Sequence, residues 1–563
     1  MYKCPGCGAA LRFDPKSQSM VCTHCNQTLS PKDERLTYIN QASGSDSVLP
    51  NPDGNPSFQS VVFTCPNCGG TLLSTDETAA TFCSYCGSSV VLEGKLEEME
   101  APDVIIPFQL DKEDCKTAYK KLLRKALFAP NYMKKDAEID KFRGIYMPYW
   151  IYGFYADGPT QGEGKTSHRE GDYIVTDHYR VERSIQGGYE GINYDAASGF
   201  SDVMSNAIAP FHAAGAEEFR PSYMSGFYAD TSDVPDQVYE EDAETVARDY
   251  FADQTVSDAA YMSHGVTSLS VRDSIPMMSG QRFKGYFPVW FLANRIQGRK
   301  EVSYAVVNGE TGRIAADLPI AFWKYVIGSL ILAVPIFLLL NMVFTLSPAS
   351  ALVGTIIASA VSFFALNAQI NRAYSTANQT GDRGLMFAKQ ERERLNPEKN
   401  PEKARSEARE NQINADKKQS KKNSGSVVII IIALGLLMAG YALMERMDSE
   451  SITGLMVVGG AVFIVNLIIY SIVMSIKKRS ASQYIAKAPI RKKSTYLWKP
   501  LLGIAASVIV LIIGPISDVP YYVVAAISLI LVIWCAFETV SLHNKGTFRP
   551  LPQFNKRGGT GNE

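Results

Sequence analysis

Eight of the ten cysteines fall before residue 90, as four C-x-x-C pairs: Cys4 with Cys7, Cys22 with Cys25, Cys65 with Cys68, and Cys83 with Cys86. Fourteen residues separate Cys7 from Cys22, and fourteen separate Cys68 from Cys83, so one unit is written twice. A C-x-x-C turn presents two thiolates to a metal from one side, and two such turns complete a tetrahedral four-sulfur site. Gly8, Gly69 and Gly87 follow the second cysteine of three pairs and supply the open backbone dihedrals of the turn. The expected ligand sets are therefore Cys4, Cys7, Cys22, Cys25 and Cys65, Cys68, Cys83, Cys86, with one Zn2+ each. A redox dithiol suits one C-x-x-C in a thioredoxin-like context, not two matched pairs in duplicate. His24 is surplus to four sulfurs and reads as a polar turn residue.

Four sulfurs leave zinc no open position, so both sites are expected to be structural, not catalytic. Such an ion contributes folding free energy of about 10 to 16 kcal/mol, and chelation should unfold residues 1 to 95 locally. No other constellation promises chemistry. Gly158-Pro-Thr-Gln-Gly-Glu-Gly164-Lys165-Thr166 has the wrong glycine spacing for a phosphate loop, and strand-like sequence follows it in place of a helix. There is no H-E-x-x-H, G-x-S-x-G or dinucleotide fingerprint. His168, His178, His212 and His264 have no partner at a telling spacing, and Cys115 reads as a small apolar residue of a helix. The chain is read as a non-enzyme.

The elements that carry these residues follow from composition. The 563 residues have a net charge of -1 and are 46% apolar, which argues for several domains and against a globally basic nucleic-acid binder. Met1-Tyr-Lys-Cys-Pro opens with no basic then apolar stretch, so the N-terminus is expected in the cytosol, where thiols stay reduced. The modules are expected at 1–30 and 61–95, joined by a flexible Ser/Asn/Pro/Gly-rich linker over 31–60 that leaves them free to orient independently. An α+β domain is expected over 96–320, with helices from Asp111 to Phe128 and near Glu241 to Phe251. It carries an echo, Phe142-Arg-Gly-Ile-Tyr-Met-Pro-Tyr-Trp150 and Phe283-Lys-Gly-Tyr-Phe-Pro-Val-Trp290, which predicts an internal duplication of strands with Trp150 and Trp290 in the core. A hairpin is expected over Glu301 to Ile314. Gly-Phe-Tyr-Ala-Asp also occurs twice, at Gly153 and Gly226.

Six apolar segments follow, each long enough to span: 322–344, 350–368, 427–444, 452–476, 498–516 and 519–540. They form three transmembrane hairpins, 321–370, 426–476 and 498–540, separated by a charged loop (371–425) and a basic loop (477–497), with a tail at 541–563. The loop 371–423 holds 13 basic against 8 acidic residues, 477–495 holds seven against none, and the tail four against one. The positive-inside rule therefore predicts N-in, C-in topology and puts the cysteines in the reducing compartment. Glu538 is the one acid within a span, near its cytosolic end, which weighs against a transport pathway. Small residues such as Gly354, Ala358, Ser359 and Ser362 suit helix packing and an oligomerisation surface. The near-zero charge is a cancellation: residues 1–320 carry -14 and residues 321–563 carry +13.

Both cysteine modules resemble zinc ribbons of the TFIIB or rubredoxin-knuckle type. Residues 1–95 hold six basic and eight acidic residues, which gives phosphates no footprint and discounts nucleic-acid binding. With Tyr146 to Trp150, Tyr286 to Trp290, Asn308 to Gly312 and Asp317-Leu-Pro319, the chain resembles a bacterial family of zinc-ribbon membrane proteins over most of residues 1–345. That resemblance implies association with envelope-stress systems, including phage-shock-type coat proteins and flotillin-like partners. The resulting expectation is a multidomain scaffold in the bacterial inner membrane: two ribbons, an α+β head and six spans. A transporter or channel with a regulatory ribbon domain, and a tethered nucleic-acid binder, are the alternatives.

Overall fold

The computed structural model describes residues 2–33, 36–38, 49–50, 56–75, 83–88, 94–295, 301–343, 347–378, 382–395, 494–547 and 549–550. The first ribbon is a meander of β1 (Leu11–Asp14), β2 (Ser19–Cys22) and β3 (Thr28–Leu29), beside which Tyr2–Lys3 pairs with Thr37–Tyr38. Alternation along β1 turns Leu11 and Phe13 inward and Arg12 to solvent. That inner face is covered by the head. The Phe13 ring meets Tyr223 edge-on at 5.3 Å, Phe13 N–H donates to Ser225 O at 3.0 Å, and Ser225 Oγ donates to Leu11 O at 2.7 Å. The expectation that the ribbons orient independently is thus corrected, because so small a module buries too little apolar surface alone.

The second ribbon is built into the head. Of its strands β4 (Pro56–Thr64), β5 (Thr71–Ser74) and β6 (Gly94–Glu100), the first and last cross the boundaries expected at 60/61 and 95/96. Leu73 and Ser74 pair antiparallel with Ala229 and Tyr228, so these strands extend the main sheet. Two of the residues assigned to the linker, Leu49–Pro50, pair with Ser57 and Pro56.

The head repeats one order of elements. β7 (Val104–Ile105), α1 (Lys112–Lys125), β8 (Arg143–Glu170) and β9 (Tyr173–Asp195) come first, and α2 (Asp202–Ile208) follows them. Next come β10 (Tyr228–Ala229), α3 (Glu240–Val256), β11 (Met277–Arg295) and β12 (Glu301–Asn308), with β13 (Ile314–Ala316) closing a hairpin on β12. α1 opens on a reciprocal capping box between Asp111 and Asp114. The two echoed segments are neighbours, paired antiparallel: Tyr146 faces Pro288, Pro148 faces Tyr286, and Met147 faces Phe287 at the centre. This register is a local two-fold relation. β7 lies parallel to β11 and β10 parallel to β8, so each short strand is exchanged onto the other unit. Each echo tryptophan also donates its indole N–H across the dyad, Trp150 to Val234 O at 2.8 Å and Trp290 to Leu110 O at 3.1 Å. The Gly-Phe-Tyr-Ala-Asp repeats lie in β8 and around β10 and are not related by this dyad.

Among the described residues five helices follow: α4 (Phe322–Val343), α5 (Pro348–Asn378), α6 (Arg383–Leu395), α7 (Ser494–Ile513) and α8 (Val519–Thr547). Among the described residues three helices are long and apolar enough to cross a membrane, within α5, α7 and α8; the shorter stretch Phe322–Ile331 of α4 is also apolar. The expected segments 427–444 and 452–476 lie outside the described residues, so three of the expected six spans stand at that level. The last helix runs past the expected 540 to Thr547. α5, α7 and α8 pack through a seam of hydroxyls, Thr355 to Ser507 at 3.3 Å and Ser507 to Ser528 at 3.2 Å, with Leu352, Ile356, Leu511 and Ala525 beside it. Ser359 is buried in this bundle, whereas Gly354 faces outward.

Head and helices are joined by polar contacts. Asn544 makes a reciprocal pair with the backbone of Ile320 (2.7 and 2.9 Å), and Lys324 Nζ donates to Ala129 O at 2.8 Å. Beyond α5, Arg383 N–H donates to Asp202 at 2.9 Å, Gly384 N–H to the Tyr239 hydroxyl at 2.9 Å, and the Arg383 guanidinium pairs with Asp242.

Candidate metal centres

Each ribbon brings its four sulfurs together as the spacing predicts, and within each set all sulfurs lie inside 4.8 Å of one another. Cys4 to Cys25 is 3.6 Å and Cys7 to Cys22 is 3.4 Å in the first; Cys65 to Cys86 is 3.8 Å and Cys68 to Cys83 is 3.7 Å in the second. A zinc ion about 2.3 Å from each sulfur needs tetrahedron edges of about 3.8 Å, so both sets fit a four-thiolate ion. The identity of the metal rests on that chemistry.

Local backbone explains why these residues form the sites. In each knuckle the first cysteine's carbonyl accepts from the residue after the second cysteine: Gly8 to Cys4 (2.8 Å), Asn26 to Cys22 (3.2 Å), Gly69 to Cys65 (2.7 Å) and Gly87 to Cys83 (3.0 Å). All four donors have positive φ, between 56° and 74°. Three are the glycines anticipated from sequence. The fourth, Asn26, escaped the glycine search, although asparagine is among the few other residues that enter this region readily. Backbone N–H groups of Cys25 and His24, each 3.5 Å from Cys22 Sγ, pull that thiol down to about 6 and favour the metal-binding thiolate. His24 itself is exposed and stands outside the ligand set.

The two centres differ in their surroundings. In the second, all four cysteines are buried and belong to the core of the head. Asn67 Nδ2 donates to Cys86 Sγ at 3.3 Å, the Tyr304 hydroxyl donates to Tyr85 O at 2.8 Å, and Arg295 reaches Ser88 at 2.9 Å. In the first, Cys4 and Cys22 are buried but Cys7 and Cys25 are exposed. A Cβ built on Gly8 would touch nothing within 4 Å, whereas one on Gly87 would press Arg295 at 3.1 Å.

The other residues singled out in the sequence fall elsewhere. Residues 158–166 lie within β8, as extended chain. His212 pairs with Glu310 at 2.9 Å, and His168 faces Asp177 at 3.5 Å, both on the surface. Cys115 is buried on α1, where desolvation pushes its thiol up. A buried polar cluster was not anticipated. Asp195 and Asp202 lie close to Tyr149, Ser205 and Tyr239, with Tyr149 to Ser205 at 2.8 Å and Tyr239 donating to Asp202 at 2.7 Å. Burial, and then the charge of Asp202, push the Asp195 carboxyl well above its usual range. Nothing in the sequence marks this cluster, because Tyr149 and Tyr239 join Asp195, Asp202 and Ser205 from distant segments.

The chain is 28% identical over 332 residues to an uncharacterized protein, YdjG, of Bacillus subtilis (strain 168). The alignment takes in 57% of this chain and 91% of that protein. No family model matches the chain, and neither does any solved structure.

Proposed function

We propose that the protein is a non-enzymatic membrane scaffold whose zinc-ribbon and α+β head recruits partner proteins to the cytosolic face of a bacterial inner membrane, with both termini on that side. The observation that carries this reading is the way the head is held. It is fixed to the apolar helices at Ile320–Asn544 and Lys324–Ala129, and to the charged helix α6 at Arg383–Asp202, while the exposed knuckles of the first ribbon face solvent. A closed four-sulfur ion has no coordination position for substrate, so such a ribbon acts through its surface. The β8–β9 hairpin adds a second display surface, with Tyr173 and Ile174 exposed at its tip. Charge supports the orientation: a head at -14 stands off anionic lipid that a body at +13 attracts.

The packed hydroxyl seam between α5, α7 and α8 favours an anchor over a conduction pathway, since these groups bond one another. Resemblance to envelope-stress proteins makes phage-shock-type coat proteins and flotillin-like proteins the first partners to test. Affinity capture of the full chain from native membranes, in detergent, should retain a defined peripheral protein. Recovery of no such protein, with both zinc ions bound, would remove the reading.

A further inference from the structure

The two metal centres have the same ligands and opposite environments, and that contrast bears on what each ion can do, whatever the head recruits. We infer that the first ribbon is an oxidisable, zinc-releasing site, modified by peroxides at Cys7 and Cys25, while the second ribbon holds its zinc inertly. A bound thiolate reacts only if an oxidant can reach its sulfur, so susceptibility follows exposure. Cys7 and Cys25 stand on the solvent side of the first site. Cys65, Cys68, Cys83 and Cys86 are each no more than 1% exposed.

Each exposed sulfur has a buried one within reach as a resolving partner, Cys22 at 3.4 Å from Cys7 and Cys4 at 3.6 Å from Cys25. The exposed thiolate attacks one peroxide oxygen; an S–O bond forms, the O–O bond breaks and hydroxide leaves. Its neighbour then attacks that sulfur, the S–S bond forms and a second hydroxide leaves. Two thiolates are oxidised by two electrons, hydrogen peroxide is reduced to two waters with two protons from solvent, and the ion loses two ligands.

The fold tolerates this loss at the first site. Its sheet stays attached to the head through bonds that involve no ligand: Phe13 N–H to Ser225 O (3.0 Å), Ser225 Oγ to Leu11 O (2.7 Å) and Gln18 Nε2 to Phe108 O (2.7 Å). Oxidation therefore loosens the Cys4–Gly8 and Cys22–Asn26 knuckles, the part of the ribbon that faces solvent, and reduction restores them. The second site has no such freedom, because its knuckles are packed under Tyr304, Arg295 and Phe291.

The test uses the full chain, zinc-loaded in detergent, treated with hydrogen peroxide while a chromogenic chelator reports free zinc. One equivalent should leave at least about tenfold faster than the other. Peptide mapping should place the new disulfides at Cys7–Cys22 and Cys4–Cys25, with residues 65–86 still reduced. Thiol reductant and zinc should reverse the change. Equal release rates for both ions, a fast phase whose disulfides map to Cys65–Cys86, or release of neither ion would overturn the inference. In Cys7→Ser/Cys25→Ser the fast phase should vanish and the slow one remain; a fast phase that survives there would also overturn it.

Discussion

Replacing Cys68 by Ser removes a buried ligand of the second centre, and its consequence should spread into the sheet. Packed with this four-cysteine group are Phe63, Leu72 and Tyr85, each no more than 2% exposed. Fully burying side chains of this kind contributes about 1.5 to 3 kcal/mol each, so roughly 4.5 to 9 kcal/mol of packing depends on a metal that itself contributes about 10 to 16 kcal/mol. Either figure rivals the roughly 5 to 15 kcal/mol stability of an ordinary domain. Since Leu73–Ser74 pairs with Tyr228–Ala229, which in turn pairs with Ile145–Tyr146, the loss should travel across three strands. Hydrogen exchange read by mass spectrometry should show protection lost at 61–74, 228–229 and 145–146. Cys25→Ser, at the exposed knuckle, should lose protection within residues 2–30 only. If Cys68→Ser keeps native protection at Leu72–Ser74, the second ribbon does not support the sheet and the reasoning fails.

Three further perturbations test other joints. Phe227→Ala removes a ring stacked on Phe108 at 4.3 Å and edge-on to Phe13, Tyr146 and Trp290; it should lower stability by about 3 to 5 kcal/mol in denaturant titrations and loosen the first ribbon. Asp195→Asn should raise the head's melting temperature more at pH 8 than at pH 5. A carboxyl with a raised folded pKa costs stability as pH climbs from about 4 through that value, so equal gains at both pH values would contradict the assignment. Lys499, buried on α7, pairs with Glu538 on α8 and lies 4.4 Å from the Trp534 ring centre. Lys499→Met alone should destabilise the detergent-solubilised chain by about 3 to 5 kcal/mol, and adding Glu538→Gln should recover most of that loss.

The two four-cysteine groups were legible in the sequence because their information is local: two cysteines per turn, a glycine after three of the four pairs, and a repeated gap. The helix start at Asp111 and the hairpin through Asn308 and Gly312 were legible for the same reason, whereas the reciprocal bond from Asp114 was not. The echo at Phe142 and Phe283 announced two similar strands, but not that Met147 would face Phe287 across a dyad, because strand pairing over about 140 residues is set by the sheet and not by either segment. The same limit hid the merger of the second ribbon with β10 and the docking of Phe13 on Tyr223. Linker composition between the ribbons suggested freedom, which the inward-facing Leu11 and Phe13 overrule once a covering surface exists. Three spans show in the helices because apolar length alone defines them; the hydroxyl seam that packs them could only be read from which faces meet.

The central claim is recruitment by a membrane-held head, and chemical cross-linking in native membranes followed by affinity capture of the full chain tests it most directly. Wild type should yield a small, reproducible set of peripheral proteins, cross-linked through residues 2–30 or the 165–178 hairpin tip. Those cross-links should be lost from a variant with both exposed surfaces altered and its zinc content intact. A capture containing only copies of the chain itself, or a partner set unchanged by that variant, would contradict the account.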